Sequence, residues 1–263
     1  MFTIKKTLFF TLLVTSMSLS SLQAKDHNLT DVQLHAVMGI VTNFILTSEG
    51  SDIDSGGSGT SITHNNTTYG TVISPYTGRV WLDRNLGASR VCTSFDDTAC
   101  YGDYYQWGRN YDGHQSSTSS TTNTKAANVN SAGSSYIISI SDWALVDNEG
   151  IMRTANWSTI DGSSVCPVGF RVPDRAELEA ELLDVGSAQI QNREDAFNSF
   201  LALPSAGNRE TSGSLSDVGS LGRVWASSVY TFYGNFVVFG SGYAYSNSND
   251  RAYGYTVRCL KDY

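Results

Sequence analysis

Charged residues are scarce in this sequence, and basic residues are scarcer than acidic ones. Of its 263 residues only 16% are charged, with 17 Lys and Arg against 25 Asp and Glu, so the formal net charge is −8. A nucleic-acid-binding protein needs a patch of Lys and Arg to meet the phosphates. The composition therefore argues against a nucleic-acid partner and leaves Ser, Thr, Asn, Gly and Tyr to cover most of the surface.

Long apolar runs are missing after the first 24 residues, where nothing approaches the 18 consecutive apolar residues of a membrane-spanning helix. At the start of the chain, Lys5 and Lys6 precede an apolar segment over residues 7–22, and Ala24 ends a small-residue cleavage site. This order is typical of a secretory signal peptide, which we expect over residues 1–24. A retained N-terminal membrane anchor is the alternative. The prediction is a protein without a transmembrane segment after signal removal, secreted or located in the periplasm or at the cell surface.

Cysteine and histidine are too few and too scattered for a zinc site. The four cysteines lack paired C-x-x-C spacing. Export exposes cysteines to an oxidising compartment, in which four of them allow three disulfide pairings. Cys92 and Cys100 bracket a short polar loop, whereas Cys166 and Cys259 stand before a predicted helix and in the last predicted strand. We therefore predict the disulfides Cys92–Cys100 and Cys166–Cys259.

The sequence predicts three parts: a signal peptide, an N-terminal helix with a linker, and one compact domain. Apolar residues recur at helical spacing over residues 31–46, which predicts a helix. Residues 47–60 are rich in Gly, Ser and Asp, as is typical of a flexible linker. We expect the N-terminal helix and linker to occupy residues 25–60 and one compact domain to occupy residues 61–263.

Within the domain the patterns predict an α+β fold. Residues 68–73 and 79–83 flank a turn with Pro75 and Gly78, which predicts a β-hairpin with Trp81 in the core. Asp174 followed by Glu177 predicts a capped helix. Further predictions are short helices over residues 101–109 and 192–203, a long surface loop over 115–135, and strands over 224–228, 235–239, 243–245 and 254–260.

Six short blocks of the chain form an ordered set: residues 68–72 (TYGTV), 80–86 (VWLDRNL), 101–109 (YGDYYQWGR), 166–173 (CPVGFRVP), 225–228 (WASS) and 254–262 (GYTVRCLKD). Over about residues 66–263 this set resembles the Fibrobacter succinogenes major paralogous domain, a bacterial secreted family. The resemblance implies a C-type lectin-like fold, in the variant shared with formylglycine-generating enzymes. Such a fold has short mixed or antiparallel sheets, two or three helices and long irregular loops.

Enzyme chemistry has little support in the residues. Enzymes of the formylglycine-generating type need a reactive cysteine pair, and the corresponding residues 222–230 contain no cysteine. A Ser-His-Asp hydrolase lacks its G-x-S-x-G motif. Asp96 with Asp97, or Asp147 with Glu149, is an alternative as a glycosidase pair, but neighbouring loop acids are usually solvated. We expect no catalytic residues.

A recognition function fits the residues better. Tyrosines crowd the last predicted strands, and an exposed Tyr offers a flat apolar ring with a polar tip to a sugar or a protein surface. We predict that a glycan or an extracellular protein binds to six residues: Tyr233, Tyr243, Tyr245, Asn247, Asn249 and Asp250. The alternative function is a structural or assembly module, in which the helix over residues 31–46 docks on a partner.

Calcium is the one cofactor that the residues leave open. Calcium-dependent lectins of this fold use Glu-Pro-Asn or Gln-Pro-Asp with Trp-Asn-Asp, and the chain has neither. Hard cations need six to eight oxygen ligands. The nearest clusters of oxygen-bearing side chains contribute Asp147, Glu149, Asn249 and Asp250. The expectation is no cofactor, with a structural calcium at these four residues as the alternative.

Overall fold

The computed structural model describes residues 61–263. The predicted signal peptide, the helix over residues 31–46 and the linker over residues 47–60 lie outside the described residues. The described part is a mixed α+β structure of mostly short antiparallel sheets and few helices, as predicted. It contains no helix that is long and apolar enough to cross a membrane.

Three α-helices and a 3-10 helix lie within residues 61–263. The α-helices are α1 (Ile151–Ser158), α2 (Arg175–Leu182) and α3 (Arg193–Asn198), and the 3-10 helix is Thr98–Cys100. The strands are β1 (Ile62–His64), β2 (Thr67–Tyr69), β3 (Thr71–Ile73), β4 (Val80–Leu82), β5 (Tyr105–Gln106), β6 (Thr121–Thr122), β7 (Tyr136–Ile137), β8 (Phe170–Arg171), β9 (Asn208–Arg209), β10 (Leu215–Ser216), β11 (Gly222–Tyr230), β12 (Tyr233–Phe239), β13 (Ala244–Asp250), β14 (Gly254–Tyr255) and β15 (Leu260–Lys261).

The longest strands form the antiparallel sheet β11-β12-β13, which separates the two largest apolar clusters. Successive side chains of a strand point to opposite faces. Phe236 and Val238 of β12 therefore join a cluster with Trp225, while Val237 and Phe239 pack on the other side. The cluster on that side includes Leu178 and Leu182 of α2. Strand β12 is buried on both faces, whereas the edge strand β13 keeps Tyr245 and Asn247 exposed.

The predicted hairpin and the end of the chain share a second sheet, of order β3-β4-β15-β8. Val72 pairs with Trp81 across the hairpin, and the Trp81 side chain is fully buried, as predicted. Strand β15 lies between β4 and β8, so the C-terminal segment is paired on both sides. The end of the chain is therefore an internal part of this sheet.

Both predicted disulfides are confirmed. The Cα atoms of Cys92 and Cys100 are 5.1 Å apart, and those of Cys166 and Cys259 are 5.9 Å apart. Both separations fall within the range that a disulfide requires. The second bridge joins the last part of the chain to the segment that precedes β8, next to the sheet that contains β15.

The predicted capped helix is also confirmed. The Asp174 carboxylate accepts a hydrogen bond from the Glu177 backbone N–H, and the Glu177 carboxylate accepts one from the Asp174 backbone N–H. This reciprocal pair satisfies two N–H groups that a helix start otherwise leaves without partners. The predicted helix over residues 192–203 is shorter than expected, because Ser199 is extended and α3 ends at Asn198.

The prediction of a helix over residues 101–109 is wrong. This segment is irregular except for the two residues of β5, and its N–H groups bond to distant carbonyls, with Asp103 donating to Leu86 and Trp107 to Arg251. Gly102 has a φ of 79°, and an added Cβ there would clash with the Leu86 carbonyl oxygen. Tertiary partners therefore replace the local hydrogen bonds of a helix.

The loop over residues 115–135 is largely irregular, as predicted, but parts of it are buried. Thr121 pairs in parallel with Tyr136, and Ala126 and Val129 pack with Trp143 in a small apolar cluster. Helix α1 follows at residue 151, where the sequence pattern predicts no helix. Its buried side chains are Arg153 and Trp157, so an arginine takes the place of an apolar residue in the usual helical pattern.

Candidate functional site

The six residues predicted to bind a ligand lie along strand β13 and at its two ends. Tyr233 pairs with Asp250 at one end of the β12–β13 ladder, and Tyr245 pairs with Val238 near the other end. At about 3.4 Å per residue, Tyr245 and Asp250 are about 17 Å apart along the strand. The predicted set therefore divides into two groups, with Asn247 between them.

The group with Tyr233 and Asp250 borders a cavity of about 340 Å³, which we call the hairpin cavity. It lies against Phe232, in the turn between β11 and β12, and Tyr233 beside it. The wall opposite comes from residues 141–148 and Lys125. The complete lining is Lys125, Ser141, Asp142, Ala144, Leu145, Asn148, Phe232, Tyr233 and Asp250.

Backbone hydrogen bonds bring the segments around the hairpin cavity together. The Ala126 N–H donates to the Trp143 carbonyl at 2.9 Å, and the Leu145 N–H donates to the Ala126 carbonyl at 2.8 Å. The Ala252 N–H donates to the Ser141 carbonyl at 3.1 Å, which joins the end of β13 to the same loop. Residues 125–126, 141–145 and 250–252 are thus held in one place although they are far apart in sequence.

Two buried arginines hold Asp142 at the base of the cavity. Arg153 donates to both Asp142 carboxylate oxygens, at 2.7 and 3.0 Å, and Arg251 approaches Oδ2 at 3.4 Å. Both guanidinium groups lie over the Trp107 ring, 5.5 and 4.8 Å from its centroid. A charged group buried this deeply needs such partners. Asp142 is therefore ion-paired and fixed in position.

Arg251 also joins the two walls of the cavity. Its guanidinium donates to the Asn148 carbonyl at 2.8 Å and to the Thr231 carbonyl at 3.1 Å. Thr231 has a φ of 51°, which is unfavourable for a β-branched residue. The hydrogen bond from Arg251 anchors this turn, so Phe232 is presented from a fixed backbone.

Two charged groups of the hairpin cavity have no ion-pair partner in the described part of the chain. Burial and the negative charge of Asp142 raise the pKa of Asp250, whose carboxylate accepts no hydrogen bond there. Lys125 is half-buried and forms no ion pair within residues 61–263. Phe232 and Leu145 expose 67% and 62% of their surface beside them. The cavity thus combines apolar surface with a free donor and a free acceptor.

The second group borders an open groove of about 570 Å³ between α2 and β13. Tyr245 lines it, and the Tyr243 ring lies 5.5 Å from the Tyr245 ring at an angle of 40°. Glu179, which also lines the groove, accepts hydrogen bonds from Arg175 and Ser246, so its charge is already paired. This groove offers an aromatic pair, and the Asp184, Gln189 and Gln191 side chains of its lining form no hydrogen bond within residues 61–263. Its exposed aromatic surface is smaller than that of the hairpin cavity, which presents Phe232 and Tyr233.

The two asparagines of the predicted set differ in whether their side-chain amides are free to bind a ligand. Asn249 donates to the Tyr255 hydroxyl at 2.6 Å and accepts from the Asp250 backbone N–H at 2.9 Å, so it supports the strand. Asn247 is exposed, and its carbonyl oxygen accepts only from the Ser248 backbone N–H. Asn247 therefore keeps a free amide group, whereas Asn249 does not.

The four residues predicted as calcium ligands are engaged in different ways. Asp147 accepts hydrogen bonds from the Met152 and Arg153 backbone N–H groups and from the Arg153 guanidinium. Glu149 is exposed, and Asn249 bonds to Tyr255. The described ranges contain no cluster of three or more His, Cys, Asp or Glu that could hold a metal ion. The calcium prediction gains no support from these residues.

Asp112 and His114 form a buried pair that has the components of a catalytic dyad but cannot reach a substrate. His114 Nδ1 lies 2.6 Å from the Asp112 carboxylate, and Nε2 accepts from the Gln106 backbone N–H at 3.1 Å. Burial lowers the pKa of His114 to about 4, against the opposing effect of Asp112. A general base needs a nitrogen that can reach its substrate. Both nitrogens of His114 are already bonded, and the ring is fully buried.

Sequence reasoning missed several residues of the hairpin cavity. Lys125, Asp142 and Leu145 lie in irregular segments whose position depends on tertiary hydrogen bonds, so no local pattern marks them. Phe232 has a usable signal, because it lies between the predicted strands over residues 224–228 and 235–239, and connecting segments run over the surface.

Comparison with known proteins finds no matching family model, no matching curated protein and no matching solved structure. The resemblance to the Fibrobacter succinogenes major paralogous domain therefore stays a prediction. The case for a function rests on the geometry of the described residues.

Proposed function

We propose that this protein is a non-catalytic recognition module that binds a glycan in the hairpin cavity. The observation that carries the proposal is the combination of exposed Phe232 and Tyr233 rings with Asp250 and Lys125, neither of which has an ion-pair partner within residues 61–263. Binding sites are typically concave and mostly apolar, with a few convergent polar groups. The hairpin cavity has the concave shape and the convergent polar groups of such a site, with polar and apolar lining residues in about equal number.

Sugar chemistry matches these groups. A pyranose ring has an apolar C–H face, which stacks on an aromatic ring, and hydroxyl groups that both donate and accept hydrogen bonds. Asp250 accepts and Lys125 donates from one cavity, so neighbouring hydroxyls would find both kinds of partner. Aromatic rings lose little side-chain entropy on binding, because they have only two rotatable bonds.

We also propose that the domain has a C-type lectin-like fold and acts outside the cytoplasm. The fold proposal is supported by the sequence resemblance, by the bridge from Cys166 to Cys259 near the chain end, and by the long irregular segment that contributes Lys125. The location is supported by two disulfides, because such bridges persist in oxidising compartments.

The test is a glycan array probed with the oxidised protein, followed by calorimetric titration of the best polysaccharide. We expect Phe232→Ala and Asp250→Asn each to weaken binding at least tenfold, about 1.4 kcal/mol. Tyr76→Ala, which alters an exposed tyrosine outside the cavity, is the matched control and should bind as the wild type does.

Tyr245→Ala separates the two candidate surfaces. Loss of binding in Tyr245→Ala, with wild-type binding in Phe232→Ala and Asp250→Asn, would place the glycan in the groove beside α2 and overturn the hairpin cavity. The absence of any saturable glycan binding would overturn the proposal as a whole.

An assembly module is the second candidate function. The exposed Leu145, Phe232 and Tyr233 side chains line one cavity, and aromatic residues are also enriched in protein interfaces. Co-purification of one partner protein with the wild type, its loss in Phe232→Ala, and its survival after deletion of residues 25–60 would favour a protein ligand at the hairpin cavity.

A further inference from the structure

A smaller cavity lies beside the β1–β2 hairpin and shares no lining residue with the hairpin cavity. Its volume is about 170 Å³, and we call it the tyrosine cavity. Its lining contains one carboxylate, three tyrosines and one histidine: His64, Asn65, Thr67, Tyr69, Leu86, Gly87, Asp103, Tyr105 and Tyr111. No Lys or Arg stands among these lining residues.

Backbone geometry holds the Asp103 carboxylate in this cavity. The Asp103 N–H donates to the Leu86 carbonyl at 2.9 Å, which fixes the start of the side chain. Gly87 has a φ of 78°, and an added Cβ there would clash with the Asp103 carboxylate. The Gly87 N–H donates to the Tyr69 hydroxyl at 2.9 Å. A glycine at residue 87 therefore leaves space for the carboxylate between Tyr69 and the backbone.

The Asp103 carboxylate lacks a cation within residues 61–263. Burial raises its pKa to about 6, and a hydrogen bond from Tyr105 offsets part of this effect. Arg84 lies over the Tyr69 ring at 5.0 Å from its centroid, but its charge is paired with Asp83. Burial lowers the pKa of His64, which favours the neutral form of its ring. The cavity thus has a net negative charge when Asp103 is ionised.

We propose that the tyrosine cavity binds the ammonium group of a small organic amine, with Asp103 as its counter-ion. A partly buried carboxylate without a cation gains more from an ion pair than a solvated one does. The Tyr69 ring already meets Arg84, but the exposed Tyr111 ring can attract a cation through its face. This interaction strengthens when the cation is desolvated. The volume admits a ligand of only a few heavy atoms or the end of a longer amine.

A bare metal ion fits this cavity less well. Calcium takes six to eight oxygen ligands, and magnesium six in a strict octahedron. Among the lining residues Asp103 is the sole carboxylate, and the Tyr69 hydroxyl already accepts from Gly87. An organic cation needs fewer direct oxygen contacts and uses the aromatic walls.

The test is calorimetric titration of the folded, oxidised protein at pH 7.5 with two probes, methylammonium chloride and tetramethylammonium chloride. Potassium chloride at equal ionic strength is the reference for non-specific salt effects. We expect saturable binding of at least one ammonium probe. Asp103→Asn keeps the shape of the side chain and should weaken binding at least tenfold, and Tyr111→Leu should weaken it several-fold.

A second readout keeps the proposal testable if Asp103→Asn does not fold. The probe should then raise the melting temperature of the wild type clearly more than that of Tyr111→Leu. Phe232→Ala should bind the amine as the wild type does, which separates this site from the proposed glycan site. Wild-type affinity in Asp103→Asn, or equal effects of potassium and both ammonium probes, would overturn the proposal.

Discussion

At the scale of single residues, buried charged groups differ in how fully they are paired. Arg153 is fully paired, because its guanidinium donates to Asp142, to the Asp147 carboxylate and to the Asp147 carbonyl. Each of its three guanidinium nitrogens therefore has an acceptor. Asp103 is the opposite case, because its carboxylate is largely buried with Tyr105 as a partner and without a cation in the described residues.

Asp103→Asn should increase stability in a pH-dependent way. The pKa of Asp103 is about 6 in the folded protein against 3.8 in the unfolded chain. Below about pH 4 the Asp103 side chain is protonated in both states, and its full contribution to the free energy of unfolding is present. This stabilisation is lost as the pH rises through 6, because the folded protein must then hold a buried negative charge.

Asparagine does not titrate, so the advantage of Asp103→Asn over the wild type should grow between pH 4 and pH 7. A shift of about two units corresponds to at most about 3 kcal/mol. Urea unfolding of both proteins at pH 4.5 and 7.5 measures the difference. An equal difference in unfolding free energy at the two pH values would contradict the expected titration.

At the scale of elements, the contacts of its first turn stabilise helix α2. Its capping residues also connect it to the neighbouring sheet, because Arg171 of β8 donates to both Glu177 carboxylate oxygens at 2.7 Å, and Arg79 pairs with the same carboxylate. Burial opposes ionisation of Glu177, but these hydrogen bonds outweigh it and lower the pKa to about 2. The cap therefore stabilises both the helix and its docking.

Asp174→Ala should lower the free energy of unfolding by about 1 kcal/mol, within the usual range of about 0.5 to 2 for loss of a helix cap. The cause is the loss of the acceptor for the Glu177 backbone N–H. Chemical denaturation at pH 7 measures the change. Asp174→Asn keeps a side-chain oxygen at this position and serves as the control, with most of the stability retained. Equal losses in the two variants would show that the cap is not the cause.

At the scale of the whole molecule, the two disulfides close loops of very different length. Cys92–Cys100 spans 8 residues, whereas Cys166–Cys259 spans 93 and joins two segments that meet in the sheet of β4, β15 and β8. A bridge stabilises mainly by restricting the unfolded chain, and the restriction grows with loop length. The Cys166–Cys259 bridge should therefore contribute more to the free energy of unfolding than the Cys92–Cys100 bridge.

Replacement of Cys166 and Cys259 by Ala together should lower the free energy of unfolding by about 4 to 5 kcal/mol. The same change at Cys92 and Cys100 should lower it by about 2 to 3 kcal/mol. Thermal and urea unfolding of the two double variants give the comparison. A larger loss at the short loop would contradict loop closure as the source of the stabilisation.

The sequence by itself determined the features that depend on neighbours along the chain. The β3–β4 hairpin with buried Trp81, the capping box at Asp174 and the alternation in β12 follow from turn residues, capping and side-chain period. The disulfide pairing was also predictable, since loop spacing favours one pairing of the four cysteines.

Only the tertiary structure decided the features that depend on contacts between separate segments of the chain. Residues 101–109 are not a helix because their N–H groups bond to carbonyls of distant segments, and α1 was missed because its buried face carries Arg153. The hairpin cavity likewise joins residues from near 125, 142 and 232. Local patterns report the preferences of neighbouring residues, whereas these features arise from hydrogen bonds and ion pairs between segments that are not adjacent in the sequence.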